Sequence, residues 1–298
     1  MHSTAPGTAE LAPARVPSFW TRHADQIIPF LFVVPALAYV GAFAFYPAYD
    51  AVVLSFRTPI EPFTTYNYTA LVQQGLYTWI EDTVLVTAGA LTIQIFSALF
   101  LASLMTQAFR GKAIFGALAI LPVGIATVVG AFTFSEIFTI QGGYANTVLG
   151  YFGVAPIDWL HPASMALLSV IIADSWKNYA LVMIILIAGY ASIPRTLYLA
   201  AAMDGAGPLR RFVYITLPNL RGYLVIALLI RGAQEFNIFQ LAYVMIGSNP
   251  QLLTVAVYTN WQDVSTYYLA TAAATVLLGI ISIFIVLVIL LGGGGTKK

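Results

Sequence analysis

The apolar residues of this chain fall into six long runs separated by short polar segments. The runs are Ile27–Phe45 (continuing weakly to Phe56), Thr83–Met105, Ala113–Ile137, Met165–Gly189, Gly222–Ile246 and Tyr267–Leu291. A helix needs about 20 apolar residues to cross the hydrocarbon core of a bilayer, and each run reaches or approaches that length. Six transmembrane helices are therefore predicted, at about 27–56, 83–106, 113–138, 165–189, 222–246 and 267–291. Composition agrees: 60% of residues are hydrophobic and only 8% charged, against roughly 25% charged in soluble domains. That balance excludes a water-soluble enzyme, and a net charge of +1 gives no basic stripe for nucleic acid.

Residues 1–26 are Pro-rich with scattered charge and read as a flexible tail, as do 292–298. The N-terminal stretch is no signal peptide, since its apolar run begins too late. No soluble domain or internal repeat is evident.

Charge orients the spans. Arg15, Arg22, Arg110, Lys112, Arg195, Arg210, Arg211, Arg221, Lys297 and Lys298 fall on one side, and Arg57 alone on the other. By the positive-inside rule both termini are cytoplasmic. The outer side, with its loops 57–79, 139–163 and 247–266, instead carries the acids Glu61, Asp158 and Asp263, with Glu81 and Asp82 just beyond the first loop.

The chemistry of bond-breaking is missing from the text of the chain. It has no Cys, and its three His (His2, His23 and His161) are far apart, so no metal site is expected. No P-loop pattern G-x-x-x-x-G-K-[ST] occurs to cradle a nucleotide, and no G-x-S-x-G elbow occurs to present a nucleophile. Asn67-Tyr68-Thr69 matches a glycosylation sequon, a pattern short enough to arise by chance. Tyr151, Trp159, Trp261, Tyr267 and Tyr268 near the span ends suit the aromatic belts of the bilayer interface.

Polar side chains inside the spans need a partner, a water-lined cavity or a function, because a charge at mid-bilayer costs roughly 2.5–3.5 kcal/mol on insertion scales. Asp174 and Lys177 are spaced i,i+3 in the fourth span, and Arg231 and Glu235 i,i+4 in the fifth, so each couple is placed to neutralise itself. At about 100° of rotation per residue, Asn237 and Gln240 fall on a different face of the fifth helix from this pair. That span is expected to be enclosed or kinked rather than lipid-facing. Gln94 and Glu136 are isolated candidates. The amides Asn178, Gln234, Asn237 and Gln240 lie beside Trp176, Tyr179, Phe236 and Phe239. That combination suits a hydroxyl-rich solute, since amides bond hydroxyls and rings stack on sugar faces. A substrate path is accordingly expected to draw on Asp174, Trp176, Asn178, Tyr179, Gln234, Glu235, Asn237 and Gln240. The alternative for both ion pairs is a purely structural role in orienting helices.

The longest polar interruption, 190–221, reads YASIPRTLYLAAAMDGAGPLRRFVYITLPNLR. Ser192 is placed to cap a helix over Thr196–Met203, with Pro194 in its first turn. Gly205 should end that helix and Gly207-Pro208 prevent its continuation. A second short helix fits Leu209–Ile215, ended by Pro218. A small-residue helix projecting into the cytoplasm lets another surface approach closely. The bland alternative is a hairpin that only joins two spans.

Leu199–Pro218 resembles the EAA loop of permease subunits of binding-protein-dependent ABC importers. The match lies at Ala200, Ala201, Asp204-Gly205-Ala206, Phe212, Ile215 and Leu217-Pro218, and Leu199 stands where the family has Glu. Val33–Phe56, Ile171–Ala188 and Phe239–Pro250 are similar to the carbohydrate-uptake, maltose-permease-like branch. The resemblance implies an all-α membrane protein of the type I importer fold, with a coupling helix between its fourth and fifth spans. That helix would dock on an ATPase through Ala200, Ala201, Asp204, Gly205, Ala206 and Arg210, with Arg210 and Arg211 otherwise meeting lipid headgroups. It further implies a non-catalytic subunit of the cell membrane, with ATP and magnesium bound elsewhere. The implied partners are a second permease, two cytoplasmic ATPases and an extracytoplasmic solute-binding protein docking on the outer loops. The solute class would be a sugar, oligosaccharide, polyol or related phosphodiester. Two rivals are weighed: a secondary transporter using Asp174, Lys177, Arg231 and Glu235 as an ion relay, and a membrane-bound enzyme, for which no cluster of titratable groups is apparent.

Overall fold

A computed structural model describes residues 31–292; the two predicted tails, with His2 and His23, lie outside them. Helices are the regular secondary structure of the described residues, which contain no strand. The chain divides into two units, the first ending at Asp50. Helix α1, Leu31–Ser55, is predominantly apolar, with Asp50 its one charged residue.

From Ala51 onward the order is α2 (Tyr66–Gln74), α3 (Leu76–Met105), α4 (Lys112–Gly124), α5 (Thr127–Phe138) and α6 (Tyr144–Tyr151). It continues with α7 (Ala163–Ser192), α8 (Arg195–Met203), α9 (Pro208–Glu235), α10 (Gln240–Ile246), α11 (Leu253–Trp261) and α12 (Tyr267–Gly292). Five of the helices, α1, α3, α7, α9 and α12, are long and apolar enough to cross a membrane. Helices α3 and α7 have 30 residues each, about 45 Å at 1.5 Å per residue. They outreach a hydrocarbon core of about 30 Å, which is why hydropathy alone places their ends too close together.

Helices α3 and α7 pack on each other more extensively than any other pair. The contact is built from small residues. Ala90, Ala98 and Ala102 on α3 and Ala173 and Ala180 on α7 are fully buried. In lipid, where apolar side chains gain little by leaving the bilayer, close backbone approach and dispersion hold helices together. One core cluster joins α3 and α7 to α9 through Leu99, Met183, Leu186 and Leu220. A second joins them to α5, α10 and α11 through Val86, Val170, Leu241 and Val255. A third gathers α2, α11 and α12 around Leu71, Trp79, Leu253 and Leu277.

Four expectations need correction. The predicted third span is two helices, α4 and α5, bent by 99° at Ile125-Ala126, both of which are extended. Pro122 lies near the end of α4, and a proline ring inside a helix removes one hydrogen bond and crowds the carbonyl four residues back. Hydropathy runs unbroken through the corner because both arms are apolar. Second, Pro218 does not end a helix. The chain runs helically from Pro208 to Glu235 through a π turn, Phe212–Thr216, in which the Leu217 N–H donates to Phe212 O. The wider turn just ahead of Pro218 makes room for its ring. Third, the predicted fifth span stops at Glu235, and Phe236–Phe239 is non-helical before α10 begins. Fourth, the outer segment 247–266 is not simply a polar loop. It contains α11, with Leu253, Val255 and Ala256 fully buried, and the Leu253 N–H donates to Thr83 Oγ1 at 2.9 Å.

The segments 57–79 and 139–163 are also organised by single amides. Asn146 Nδ2 donates to Ile157 O at 2.8 Å, while its Oδ1 accepts from the Trp159 indole at 3.0 Å. Trp159 thus belongs to this loop and packs on Phe138, rather than standing in an aromatic belt. Asn67 is buried and donates to Ser55 O and Arg57 O, so its sequon offers no free side chain for a glycan.

Candidate functional site

Two regions hold the candidate residues. The first lies where α3, α7 and α9 meet. Arg231, on α9, places one terminal nitrogen 3.1 Å from Asp174 Oδ2, on α7, and pairs the same nitrogen with Glu235 Oε2 one turn along its own helix. Its Nε donates to Gln94 Oε1, on α3, at 3.0 Å. Gln94 Nε2 then donates to Asp174 Oδ2 at 3.0 Å and toward Glu235 Oε2 at 3.3 Å. Two carboxylates therefore share one guanidinium, and one amide bridges all three charged groups. Gln94 and Glu235 are fully buried, and Asp174 and Arg231 nearly so. Glu235 Oε1 has no partner among the described residues.

This arrangement differs from two separate pairs. Arg231–Glu235 forms, but Asp174 pairs across helices with Arg231 rather than with Lys177. The reason lies in Asp174's own acceptors: Oδ2 is engaged by Arg231 and Gln94, and Oδ1 accepts from Asn178 Nδ2 at 2.8 Å. Lys177 is buried yet has no ion pair or hydrogen bond among the described residues. Gln94, an isolated candidate in the sequence, is the hub of the cluster. Its only signal in the text of the chain is a neutral amide in an otherwise apolar run.

The amides lie at the rim of the same region. Gln234 is exposed, with its Oε1 accepting from Arg231 at 3.0 Å. Asn237 and Gln240 are exposed at the break between α9 and α10, where Asn237 Nδ2 donates back to Ala233 O at 2.9 Å. They do not share a continuous helix with Arg231, because α9 has ended. Trp176 is 38% exposed and meets Phe134 edge to face; Asn178 and Tyr179 are half-buried. Glu136 is exposed on α5 with no partner among the described residues.

The second region is the hairpin of α8 and the start of α9. Helix α8 begins at Arg195 with Pro194 as its N-cap. Ser192 is not that cap: it is the last residue of α7, and its hydroxyl donates to Gly189 O at 2.7 Å. At the other end Gly205 takes φ +72°, a left-handed value that costs other L-residues about 1–2 kcal/mol. Gly205 N–H donates to Ala202 O and Ala206 N–H to Ala201 O, the paired bonds of a Schellman turn. Two further bonds hold the hairpin to its base: Arg211 Nε to Ala206 O at 2.7 Å, and Tyr198 hydroxyl with Thr216 Oγ1 at 2.9 Å. Ala200, Asp204, Gly205 and Arg210 are exposed, and Ala201 and Ala206 half-buried. Large apolar side chains are exposed beside them: Leu199, Met203, Leu209 and Tyr214.

No family model matches the chain. Among curated proteins, it is 30% identical over 275 residues to the trehalose transport system permease protein SugA of Mycobacterium tuberculosis, covering 88% of both chains. It is 26% identical over 273 residues to the trehalose/maltose transport system permease protein MalF of Thermococcus litoralis, covering 88% of this chain and 92% of that one. It is 30% identical over 286 residues to the sn-glycerol-3-phosphate transport system permease protein UgpA of Salmonella choleraesuis, covering 89% and 94%. Its fold is that of a chain in the crystal structure of a bacterial ABC transporter for import of the acidic polysaccharide alginate. The TM-score is 0.75 at 18% identity, over 94% of this chain. A second structure of an alginate transporter, in complex with an alginate-bound periplasmic protein, gives 0.76 at 17% identity over 95% of this chain.

Proposed function

The chain belongs to the sugar ABC transporter permeases, multi-pass proteins of the membrane, and from that premise we propose how its parts divide the work of an ATP-driven importer. Helix α8 and the Gly205 turn form the coupling element, which seats in a groove of a cytoplasmic ATPase. Both termini then lie on the cytoplasmic side, as the distribution of Lys and Arg also requires. The observation that carries this reading is the hairpin's inverted surface. Leu199, Met203, Leu209 and Tyr214 expose apolar area on a segment whose backbone is held by a Schellman turn and two side-chain bonds. A rigid projection with an apolar tip gains by being covered, and Ala200 and Ala201 let the covering surface come close. Leu199 in place of Glu makes this contact apolar where the family has a charge.

The solute path runs past the break between α9 and α10, where Gln234, Asn237, Gln240 and Trp176 offer amides and one ring. The hydroxyl-rich solutes named for the related permeases (trehalose, maltose) fit that lining. Asp174 and Glu235 stand behind the path as supports. Asn178 joins the supports to the rim, with Tyr179 beside it. The outer segments take the solute-binding protein, and a second permease closes the path. ATP and magnesium sit on the ATPase partners, and this chain makes and breaks no bond.

Gly205→Val tests the coupling role. An added Cβ at Gly205 meets no atom within 4 Å, so the cost is the backbone strain of φ +72°; membrane accumulation is measured alongside, and it should be kept while uptake and ATPase co-purification are lost. Uptake at the unaltered rate would defeat the assignment. The ion-relay rival predicts uptake by this chain alone in liposomes, driven by a gradient without nucleotide.

A further inference from the structure

A cleft of about 1070 Å³ opens beneath the coupling hairpin, between the end of α3, the end of α7, and the starts of α4, α8 and α9. Three cations line it, Lys112, Arg195 and Arg211, and no carboxylate does. None of the three makes an ion pair among the described residues. The Arg211 guanidinium is aimed by its Nε bond to Ala206 O, which leaves its two terminal nitrogens uncommitted. Asp204 borders a neighbouring depression that Arg210 and Arg211 also line, but it is bonded to neither arginine among the described residues.

The backbone adds to this field. Lys112, Arg195 and Pro208 are the first residues of α4, α8 and α9 respectively, and all three line the cleft. None of these helix starts has a side-chain cap, so their partial positive charge is uncompensated, although Pro208 itself carries no N–H. Three helix starts and three cations around one concave space make a region of positive potential with donors on several sides. Hydroxyl groups are present as well, at Thr216 and Tyr198.

We infer that this cleft binds a phosphoryl anion through Lys112, Arg195 and the terminal nitrogens of Arg211. Tetrahedral phosphate oxygens suit a guanidinium fork and a lysine point charge together. The anion is either the headgroup of an acidic phospholipid or a free phosphate. The site shares α8 with the proposed coupling element, but its binding is measured on this chain without an ATPase, so a failure of the docking reading leaves it standing.

The test uses the purified full chain in phosphatidylcholine nanodiscs. One arm adds phosphatidylglycerol and counts retained lipid by native mass spectrometry. The other titrates inorganic phosphate against chloride at constant ionic strength and follows thermal unfolding. Retention of phosphatidylglycerol by the wild type assigns the headgroup; a phosphate-specific rise in unfolding temperature assigns the free anion. Each cation near a charged surface contributes about 1 kcal/mol, roughly a fivefold change in affinity. Lys112→Gln/Arg195→Gln should therefore weaken whichever binding is seen by about 25-fold. Neither residue makes a side-chain hydrogen bond among the described residues, so this pair of changes leaves the fold intact. Adding Arg211→Gln should abolish binding, Lys112→Arg/Arg195→Lys should keep it, and Arg57→Gln should not alter it. Equal binding by wild type and Lys112→Gln/Arg195→Gln, or none by the wild type with either probe, overturns the inference.

Discussion

The buried cluster and the hairpin of α8 are opposites. At Gln94, Asp174, Arg231 and Glu235, charge sits where the surroundings are apolar. At Leu199, Met203, Leu209 and Tyr214, large apolar side chains are left exposed. Both are costly placements, but they are resolved differently. The cluster finds its partners within the chain, through bonds from three helices. The hairpin finds none for its tip, although its backbone is fully tied down. A costly placement settled internally fits a structural joint; one left open fits the docking role proposed for the hairpin.

The largest effect should come from breaking the joint. Arg231→Met leaves two carboxylates buried without their cation, and losing one member of a buried pair costs about 3–5 kcal/mol. Loss of membrane accumulation and of a monodisperse peak in detergent is expected, with partial recovery on adding Asp174→Asn and Glu235→Gln. Recovery failing altogether would mean that the cluster does more than balance charge. Gln94→Leu removes the bridge but keeps the ion pairs, and a buried hydrogen-bond partner lost costs about 1–3 kcal/mol. A lowered unfolding temperature with preserved assembly checks this. Gly232→Ala tests the packing around the joint. A Cβ there collides with the Phe284 ring, and overpacking of this kind costs about 1–3 kcal/mol; Phe284→Leu in the same chain should relieve it. In the hairpin, Gly205→Ala meets only the backbone cost of about 1–2 kcal/mol, so uptake should fall further than thermal stability does. Lys177→Met should have the smallest effect. Lys177 has no partner to orphan, so thermal stability should not fall. A loss comparable to that of Arg231→Met would show that the two buried cations are not different in kind.

Much of this was legible in the chain itself. The turn at Gly205 was readable because few other residues accept its backbone angle, and the helix before it because nothing in Thr196–Met203 opposes one. The polar residues inside the spans announced themselves by the cost of placing them there. Their pairing was not readable. Spacing on one helix suggests Asp174 with Lys177, but the guanidinium that Asp174 meets lies 57 positions along the chain on another helix. The corner at Ile125-Ala126 was equally hidden, since hydropathy reports how apolar a segment is and nothing about its direction. Helix α11 escaped notice because nine residues are too few to register as a span, and only packing against α3 and α12 makes them a core element.

Sequence alone determined that this chain is rich in segments apolar enough for a membrane, and that the backbone turns at Gly205. Those are properties of each segment's own transfer free energy and of allowed backbone angles, and they need no knowledge of neighbours. Tertiary structure decided which charges meet, which helices break, and which apolar side chains are left uncovered. Those outcomes depend on distances between residues far apart in the chain, and short-range spacing carries no record of them.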